Sequence, residues 1–411
     1  MTLPTKGPRM AISLQPATLS RRLAGTDSSP VRELLEIAAR PEVISLAGGL
    51  PAPDTFDVEG LAEAFAAVLA GPQARRALQY SRTEGDPRLR EQLAERFVAG
   101  GLPCTGEDVL ITTGSQQALG LIASALLDPG DTVLVEDPTY LAALQSFSLA
   151  DARAVAVPSD ADGPLPEALL QRARAHGAKA VYLIPTFQNP TGRTMSRGRR
   201  AALAEAAAEA GIWIVEDDPY SALRLEGEPV DLLASQPAAR ERTIVVQTLS
   251  KVLSPGLRLG YVRAPASLRG PLAVAKQAAD LHSSTINQLA ASMWLERHDL
   301  GAHIASLAAH YRPRRDALLE GLAEHLPHGS SWTEPEGGLF VWVTLPPGMD
   351  AEAMLPAAIE RGVAFVPGRF FYAAEAQRET LRVSFATESP EALIEGARRL
   401  GAAIAAPAAA G

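Results

Sequence analysis

Short apolar runs rich in β-branched residues recur along the middle of this chain, separated by longer stretches of helix-forming residues. The runs lie at residues 109–113, 132–136, 154–157, 180–185, 212–216 and 243–246, and a further one begins near Leu259. Runs this short and this continuous in apolar residues predict strands buried on both faces. Ala- and Leu-rich segments between them, most plainly 118–127 and 199–210, predict helices. Strand and helix alternating in this way predict a mainly parallel sheet covered by helices above and below.

The flanks differ. Residues 1–30 show no clear period and hold several Ser, Thr, Pro and Gly, so they read as an arm lying across a neighbouring surface. Ser29 and Pro30 mark the cap and first turn of a short helix over 31–39. A strand over 44–54 runs into Gly48-Gly49 and a Pro-x-Pro loop, and helices are predicted at 58–69 and 88–98. After Val262 come long helices at 271–296 and 301–325, short strands at 338–343 and 381–385, and helices at 351–361 and 390–404. That mixture, with its Pro-Pro and Pro-Gly punctuation, predicts a second, smaller α+β unit. The expected division is an arm and short helix over 1–45, a large α/β domain over 46–295, and a small domain over 296–411 that packs with the N-terminal segment.

Length and charge narrow the class. At 411 residues there is material for two or more domains. A net charge of −9 speaks against binding nucleic acid or a membrane surface through basic charge, which needs a positive face. No apolar run approaches the roughly 20 residues of a membrane span. The ten residues after the opening MTLPTKGPRM are too polar for a signal-peptide core, so the expected compartment is the cytoplasm. A single cysteine, Cys104, allows neither an intrachain disulfide nor a multi-cysteine metal cage, and no metal is expected.

Candidate chemistry collects where the predicted strands end, which is where ligands collect in sheets of this kind. Gly114-Ser115-Gln116-Gln117 is a predicted tight turn before the helix 118–127, and its N–H groups and hydroxyl sit at the positive end of that helix, as an anion requires. Tyr140 follows the strand 132–136 and either offers a ring face to a cofactor or packs as core. Gln188-Asn189-Pro190-Thr-Gly192 follows another strand, and Asp217 and Tyr220 follow a third. Thr248, Ser250 and Lys251 come after the run 243–246 in a loop bearing Pro and Gly, with Arg258 seven residues beyond the lysine. A lysine between two core strands, partly desolvated and close to other cations, has its charged form disfavoured and its amine made nucleophilic, as Schiff-base chemistry requires. The hydroxyls and Arg258 suit a phosphate. Arg382 interrupts an apolar strand, where it meets either an anionic ligand or an internal carboxylate. Taken singly, Tyr80 reads as a half-buried loop aromatic, Arg32 as an exposed arginine and Lys251 as a solvated lysine. Three polar clusters at three strand ends are more than turn chemistry explains.

Ser250-Lys251, six further residues and Arg258 resemble the signature of the class I/II aminotransferases, which use pyridoxal 5'-phosphate. Tyr-Ser-x-x-x-Gly (80–85), Gly-Ser-Gln-Gln-Ala-Leu (114–119), Gln-Asn-Pro-Thr-Gly (188–192), Asp-Asp-Pro-Tyr (217–220) and Leu-Arg-Val-Ser-Phe (381–385) accompany it in the family's order. The resemblance runs from about Ser29 to Leu400. It implies fold type I, with a mainly parallel seven-stranded sheet in the large domain and a smaller α+β domain, assembled as a homodimer.

Pyridoxal 5'-phosphate needs an amine for its aldehyde, a carboxylate for its ring nitrogen, donors for its phenolic oxygen, and N–H groups, hydroxyls and an arginine for its phosphate. Lys251 would supply the amine and then act as base and acid at the substrate Cα. Asn189 and Tyr220 would hold the phenolic oxygen, and Tyr140 would stack on the ring. Gly114, Ser115, Gln116, Thr248, Ser250 and Arg258 would form the phosphate cup. Glu216, Asp217 and Asp218 compete for the ring nitrogen, and the resemblance chooses Asp217, three residues before Tyr220. It also implies that Tyr80 of the partner subunit reaches the phosphate and that Arg382 grips the substrate α-carboxylate, with Asn189 and Gly49 also at the substrate.

Within the class, Ser-Leu-Ala-Gly-Gly-Leu-Pro-Ala-Pro, Ser-Lys-Val-Leu-Ser-Pro-Gly-Leu-Arg and Ala-Asp-Leu-His look like the 2-aminoadipate and kynurenine aminotransferase branch. There an arginine on a mobile N-terminal helix meets acidic substrate side chains, and Ser-Pro-Val-Arg32 matches it. Thr248 stands where serine is usual and keeps the hydroxyl. The expected reaction transfers an amino group from an L-amino acid (2-aminoadipate-like, aromatic or of broad range) to a 2-oxo acid such as 2-oxoglutarate. A lyase, decarboxylase or synthase on the same fold is the alternative, because a fold does not fix a reaction. A regulator with a winged helix in front is the third reading, for which the roughly 30 residues before the match are too few.

Overall fold

This computed structural model describes residue 40 and residues 42–405. The short helix expected over 31–39, with Arg32, lies outside the described residues.

Seven strands form the main sheet: β1 Val109–Thr112, β2 Thr132–Val135, β3 Arg153–Ala156, β4 Ala180–Leu183, β5 Trp213–Asp217, β6 Thr243–Thr248 and β7 Gly260–Arg263. Their spatial order is β1-β7-β6-β5-β4-β2-β3. Only β7, between β1 and β6, runs antiparallel to its neighbours. Every residue of β1, β2, β4 and β6 is buried, as continuous apolar runs require. Helices Gly114–Leu126, Leu141–Leu149 and Ala266–Asp280 cover one face around Leu119, Ile122, Phe147 and Leu268. The other face is covered by Arg197–Ala210 through Leu203, and by Pro87–Ala99 and Thr285–Arg297 through Phe97 and Trp294.

A second sheet of four antiparallel strands holds β8 Ser331–Trp332, β9 Phe340–Thr344, β10 Val366–Pro367 and β11 Thr380–Ser384 in the order β8-β9-β11-β10. Helices Leu300–His325 and Pro390–Ala405 pack on it through Leu318 and Leu393, and the same core takes in Leu46, Ala52, Phe187 and Tyr220. The loops at the carboxyl ends of the main sheet therefore abut the small one.

Three local expectations are corrected. The strand expected over 44–54 is confined to Ile44–Ser45, which pairs in parallel with Val363–Ala364. Beyond it Pro51 and Pro53 have no N–H to pair, and side chains hold the chain instead: Arg382 donates to Ala47 O and Ala52 N–H donates to Tyr311. Residues 114–117 are not a turn before a helix but its first turn, because Gln117 Oε1 reaches back to accept from the Thr113 N–H at 2.7 Å and closes the helix start. The single helix expected over 271–296 is two, broken at Leu281, whose φ is +65°. Side-chain bonds organise the break: Asp280 accepts from Lys276 and Thr113, and Gln288 Nε2 donates to Ser283 O.

Candidate active site

The loop from β6 to β7 carries Lys251 and Arg258 and is closed by its own backbone. Leu249 N–H donates to Leu259 O at 3.0 Å, and Ser254 Oγ caps the turn Pro255–Leu257 by accepting from Gly256 N–H. Arg258 then takes φ +53°, an uncommon conformation for a residue with a Cβ and one that marks functional loops. The Lys251 amine lies 2.7 Å from Gly49 O, to which it donates, and 5.7 Å from the centre of the Tyr220 ring. Burial, and after it the nearby guanidinium of Arg382, push its pKa down to about 8.

Two carboxylates, Glu216 and Asp217, end β5 and Asp218 follows it, and alternation along an extended chain sends neighbours to opposite faces. Glu216 accepts from the N–H groups of Leu233 and Ala234, and Asp218 accepts from Gln247 and Ser221. Asp217 alone turns the other way. Its Oδ2 accepts from the Tyr182 hydroxyl at 2.6 Å, and its Oδ1 is buried without a partner among the described residues. Burial pushes this carboxyl up to about 7.

Arg382 enters from β11 of the small sheet. It is buried, with its guanidinium 4.1 Å and 5.0 Å from the centres of the Phe340 and Phe371 rings. Nη1 donates to Asn189 Oδ1 and Nη2 to Ala47 O, both at 2.9 Å, while Nε has no partner among the described residues. Among the described residues no carboxylate pairs with it, so the internal salt bridge that the sequence left open is not formed there. A buried guanidinium in that condition suits an incoming carboxylate.

At the start of the helix Gly114–Leu126, Gly114 adopts φ +77°, and a Cβ there would lie 2.5 Å from Arg258 Nη2. Gly260 lets β7 approach the same turn, since its Cβ would meet Gly114 C at 2.5 Å and Ser115 N at 2.7 Å. Thr248 Oγ1 lies 2.9 Å from Ser250 Oγ and accepts from Ser250 N–H. Gln116 donates to Ser146 Oγ at 3.0 Å. Helix N–H groups, hydroxyls and a guanidinium thus converge as an anion cradle.

One cavity of about 360 Å³ collects these groups. Gly49, Ser115, Gln116, Tyr140, Asn189, Asp217, Tyr220, Thr248, Ser250, Lys251, Arg258 and Arg382 all line it. Gly114 stands behind Arg258, and Tyr80 is not in the lining but 78% exposed, edge-on to His282 at 5.9 Å. Sequence reasoning missed Leu50, Ile184 and Phe340 in the wall and Tyr182 behind Asp217. A hydroxyl inside the apolar run 180–184 was the signal for the last of these. Among the described residues no group of three or more His, Cys, Asp or Glu side chains is arranged to hold a metal ion, and no helix is long and apolar enough to cross a membrane.

From residue 42 to residue 400 the chain matches the family described as aminotransferase class I and II. It belongs to that family. This aminotransferase is 43% identical to aromatic-amino-acid aminotransferase 1 of Thermococcus litoralis, over 94% of the chain and 93% of the relative. Among solved structures it is similar to the kynurenine aminotransferase of Pyrococcus horikoshii in complex with PMP (TM-score 0.89, 40% identity, 94% and 96% of the two chains). It is also similar to the alpha-aminoadipate aminotransferase of Thermus thermophilus complexed with N-(5'-phosphopyridoxyl)-L-leucine (TM-score 0.87, 38% identity, 94% and 97%). The fold is fold type I, and this aminotransferase is a pyridoxal 5'-phosphate-dependent enzyme that catalyses transamination. Its residues fit the cofactor on their own chemistry. The unpartnered Oδ1 of Asp217 lacks a cationic N–H, which the protonated ring nitrogen has, and such a partner favours the ionised carboxylate.

Proposed function

We propose that this cavity is where the enzyme moves an amino group between an L-amino acid (2-aminoadipate-like, aromatic or of broader range) and a 2-oxo acid such as 2-oxoglutarate. Bound here, the cofactor supplies the sink for the electrons released at the substrate Cα. Lys251, whose amine loses its proton more readily than an ordinary lysine because its pKa is lowered to about 8, is the nucleophile and then the base and acid that carries the proton at Cα. Asp217 holds the ring nitrogen protonated. Tyr220 and Asn189 donate to the phenolic oxygen, and Tyr140 covers a ring face. Gly114, Ser115, Gln116, Thr248, Ser250 and Arg258 hold the phosphate. Arg382 takes the α-carboxylate, with Asn189 and Gly49 beside it. The enzyme acts as a homodimer in which Tyr80 of the partner subunit completes the phosphate site.

One observation carries this reading: the Lys251 amine, the unpartnered Asp217 carboxylate oxygen and the carboxylate-free Arg382 guanidinium belong to side chains around a single cavity. Leu50, Tyr140 and Phe340 in its wall suit apolar or aromatic substrate side chains, while Arg32 is assigned to acidic ones. Two experiments test it. Lys251→Ala should lose the visible absorbance of the bound cofactor together with keto-acid-dependent amino transfer; retention of that absorbance removes the central assignment. In a panel of donors with 2-oxoglutarate, Arg32→Ala should lose more rate on 2-aminoadipate than on aromatic donors, and equal losses would contradict the role given to Arg32.

A further inference from the structure

The hydroxyl of Tyr182 has one partner. It donates to Asp217 Oδ2 at 2.6 Å, and it makes no other hydrogen bond among the described residues. Tyr182 sits in β4 opposite Val215 of β5, two residues before Asp217 on that strand. Its side chain is fully buried, and its ring meets that of Phe147 edge-on at 5.8 Å and 73°. Sheet and core therefore hold the phenol from behind, outside the cavity lining. The rest of β4 is apolar, so a hydroxyl there needs a partner to be tolerated, and Asp217 is the one it has.

Asp217 is divided between two surroundings. Oδ2 is taken by Tyr182, while Oδ1 has no partner among the described residues although Asp217 lines the cavity. Burial raises the carboxyl, and donation from Tyr182 works against that rise. Burial, and after it the charge of Asp217, hold the phenol well above its ordinary range, so the tyrosine is the donor and the carboxylate the acceptor. Without that donor the carboxyl is free to turn and takes up a proton more readily.

We propose that Tyr182 is a positioning residue for the cofactor's ring nitrogen: its hydroxyl fixes one oxygen of Asp217 so that the other is held toward the ring. This rests on the assignment of Asp217 made above. Tyr182 touches neither cofactor nor substrate and acts only through that carboxylate.

Tyr182→Phe removes a single oxygen atom from the core. Wild type, Tyr182→Phe, Asp217→Asn and the double variant are compared as holoenzymes for the dissociation constant of pyridoxal 5'-phosphate, the visible spectrum of the bound cofactor, and kcat and KM taken separately. Loss of a hydrogen bond to a charged acceptor predicts about tenfold weaker cofactor binding in Tyr182→Phe. The spectrum should shift, and kcat should fall by about the same factor with the amino-acid KM within about twofold, since substrate contacts are untouched. Added to Asp217→Asn, Tyr182→Phe should cost nothing further, because both changes act through one carboxylate. Unchanged affinity and spectrum in Tyr182→Phe beside a damaged Asp217→Asn would overturn the proposal. An equal loss in both backgrounds would overturn it too, marking a purely structural hydroxyl. An Asp217→Asn enzyme with wild-type affinity, spectrum and kcat would overturn the reading of Asp217 itself.

Discussion

Arg382 Nη1 donates to Asn189 Oδ1 across 2.9 Å, joining a strand of the small sheet to the loop that follows β4 in the main one. The residue proposed for the substrate carboxylate thereby orients the residue proposed for the ring's phenolic oxygen. Their positions are coupled, so a change at one should be felt at the other.

Arg382 is buried without a carboxylate partner among the described residues, and its Nε makes no bond. Such a charge disfavours the substrate-free fold and is relieved when an anion binds. Arg382→Met should lower kcat/KM by about 100-fold while leaving the substrate-free melting temperature unchanged or raised. Steady-state kinetics beside thermal unfolding checks this, and a clear drop in melting temperature would contradict it.

Lys251 gives the cofactor-free protein a defined pH response. Its folded pKa is depressed to about 8, whereas an unfolded lysine titrates near 10.4. Between those values the unfolded chain binds more protons, so stability rises with pH across that window. The penalty, up to about 3 kcal/mol, is fully present below pH 8 and gone above about pH 10.4. Cofactor-free Lys251→Met should thus exceed wild type in stability at pH 7 and lose that advantage by about pH 10.4, as urea unfolding at the two pH values would register.

Gly114→Ala places a methyl group 2.5 Å from Arg258 Nη2 at a backbone φ of +77°. Arg258 also donates to Thr113 O, so it has little room to yield. Roughly tenfold weaker cofactor binding and a stability loss of about 1 kcal/mol are expected, measurable by spectrophotometric titration and denaturant unfolding.

Tyr80 stands exposed, and Leu78 and Leu281 are exposed near it in the chain and beside its ring partner His282. In the proposed homodimer these side chains would be covered by the partner subunit. Light scattering should give twice the chain mass, and Tyr80→Phe should keep that mass while weakening cofactor binding by several fold, the loss of one phosphate hydrogen bond.

Much of this was legible in one dimension. Runs of apolar residues too short for helices announced the main sheet, and the breaks after residues 113, 136, 185, 216 and 246 announced where its polar groups gather. Pro255 and Gly256 between two apolar runs put Ser250, Lys251 and Arg258 in one loop. The helix break at Leu281 and the early start at Gly114 were not legible. Both depend on side chains reaching across the fold or back along the helix, which periodicity does not record.

The sequence by itself determined the strand-and-helix alternation, the positions of the strand ends and the set of reactive side chains placed there, since these follow from local apolar patterning and chain connectivity. Apolar patterning left Glu216, Asp217 and Asp218 as rivals; the family resemblance chose Asp217, and only the tertiary structure gives the physical reason, that Asp217 alone of the three lines the cavity. A strand's alternation separates neighbours but does not say which face a neighbouring hydroxyl such as that of Tyr182 will meet. It also decided what surrounds Arg382. The pairing of a buried charge depends on groups from Ala47 and Asn189, far away in the chain, that only the packing of two sheets brings together.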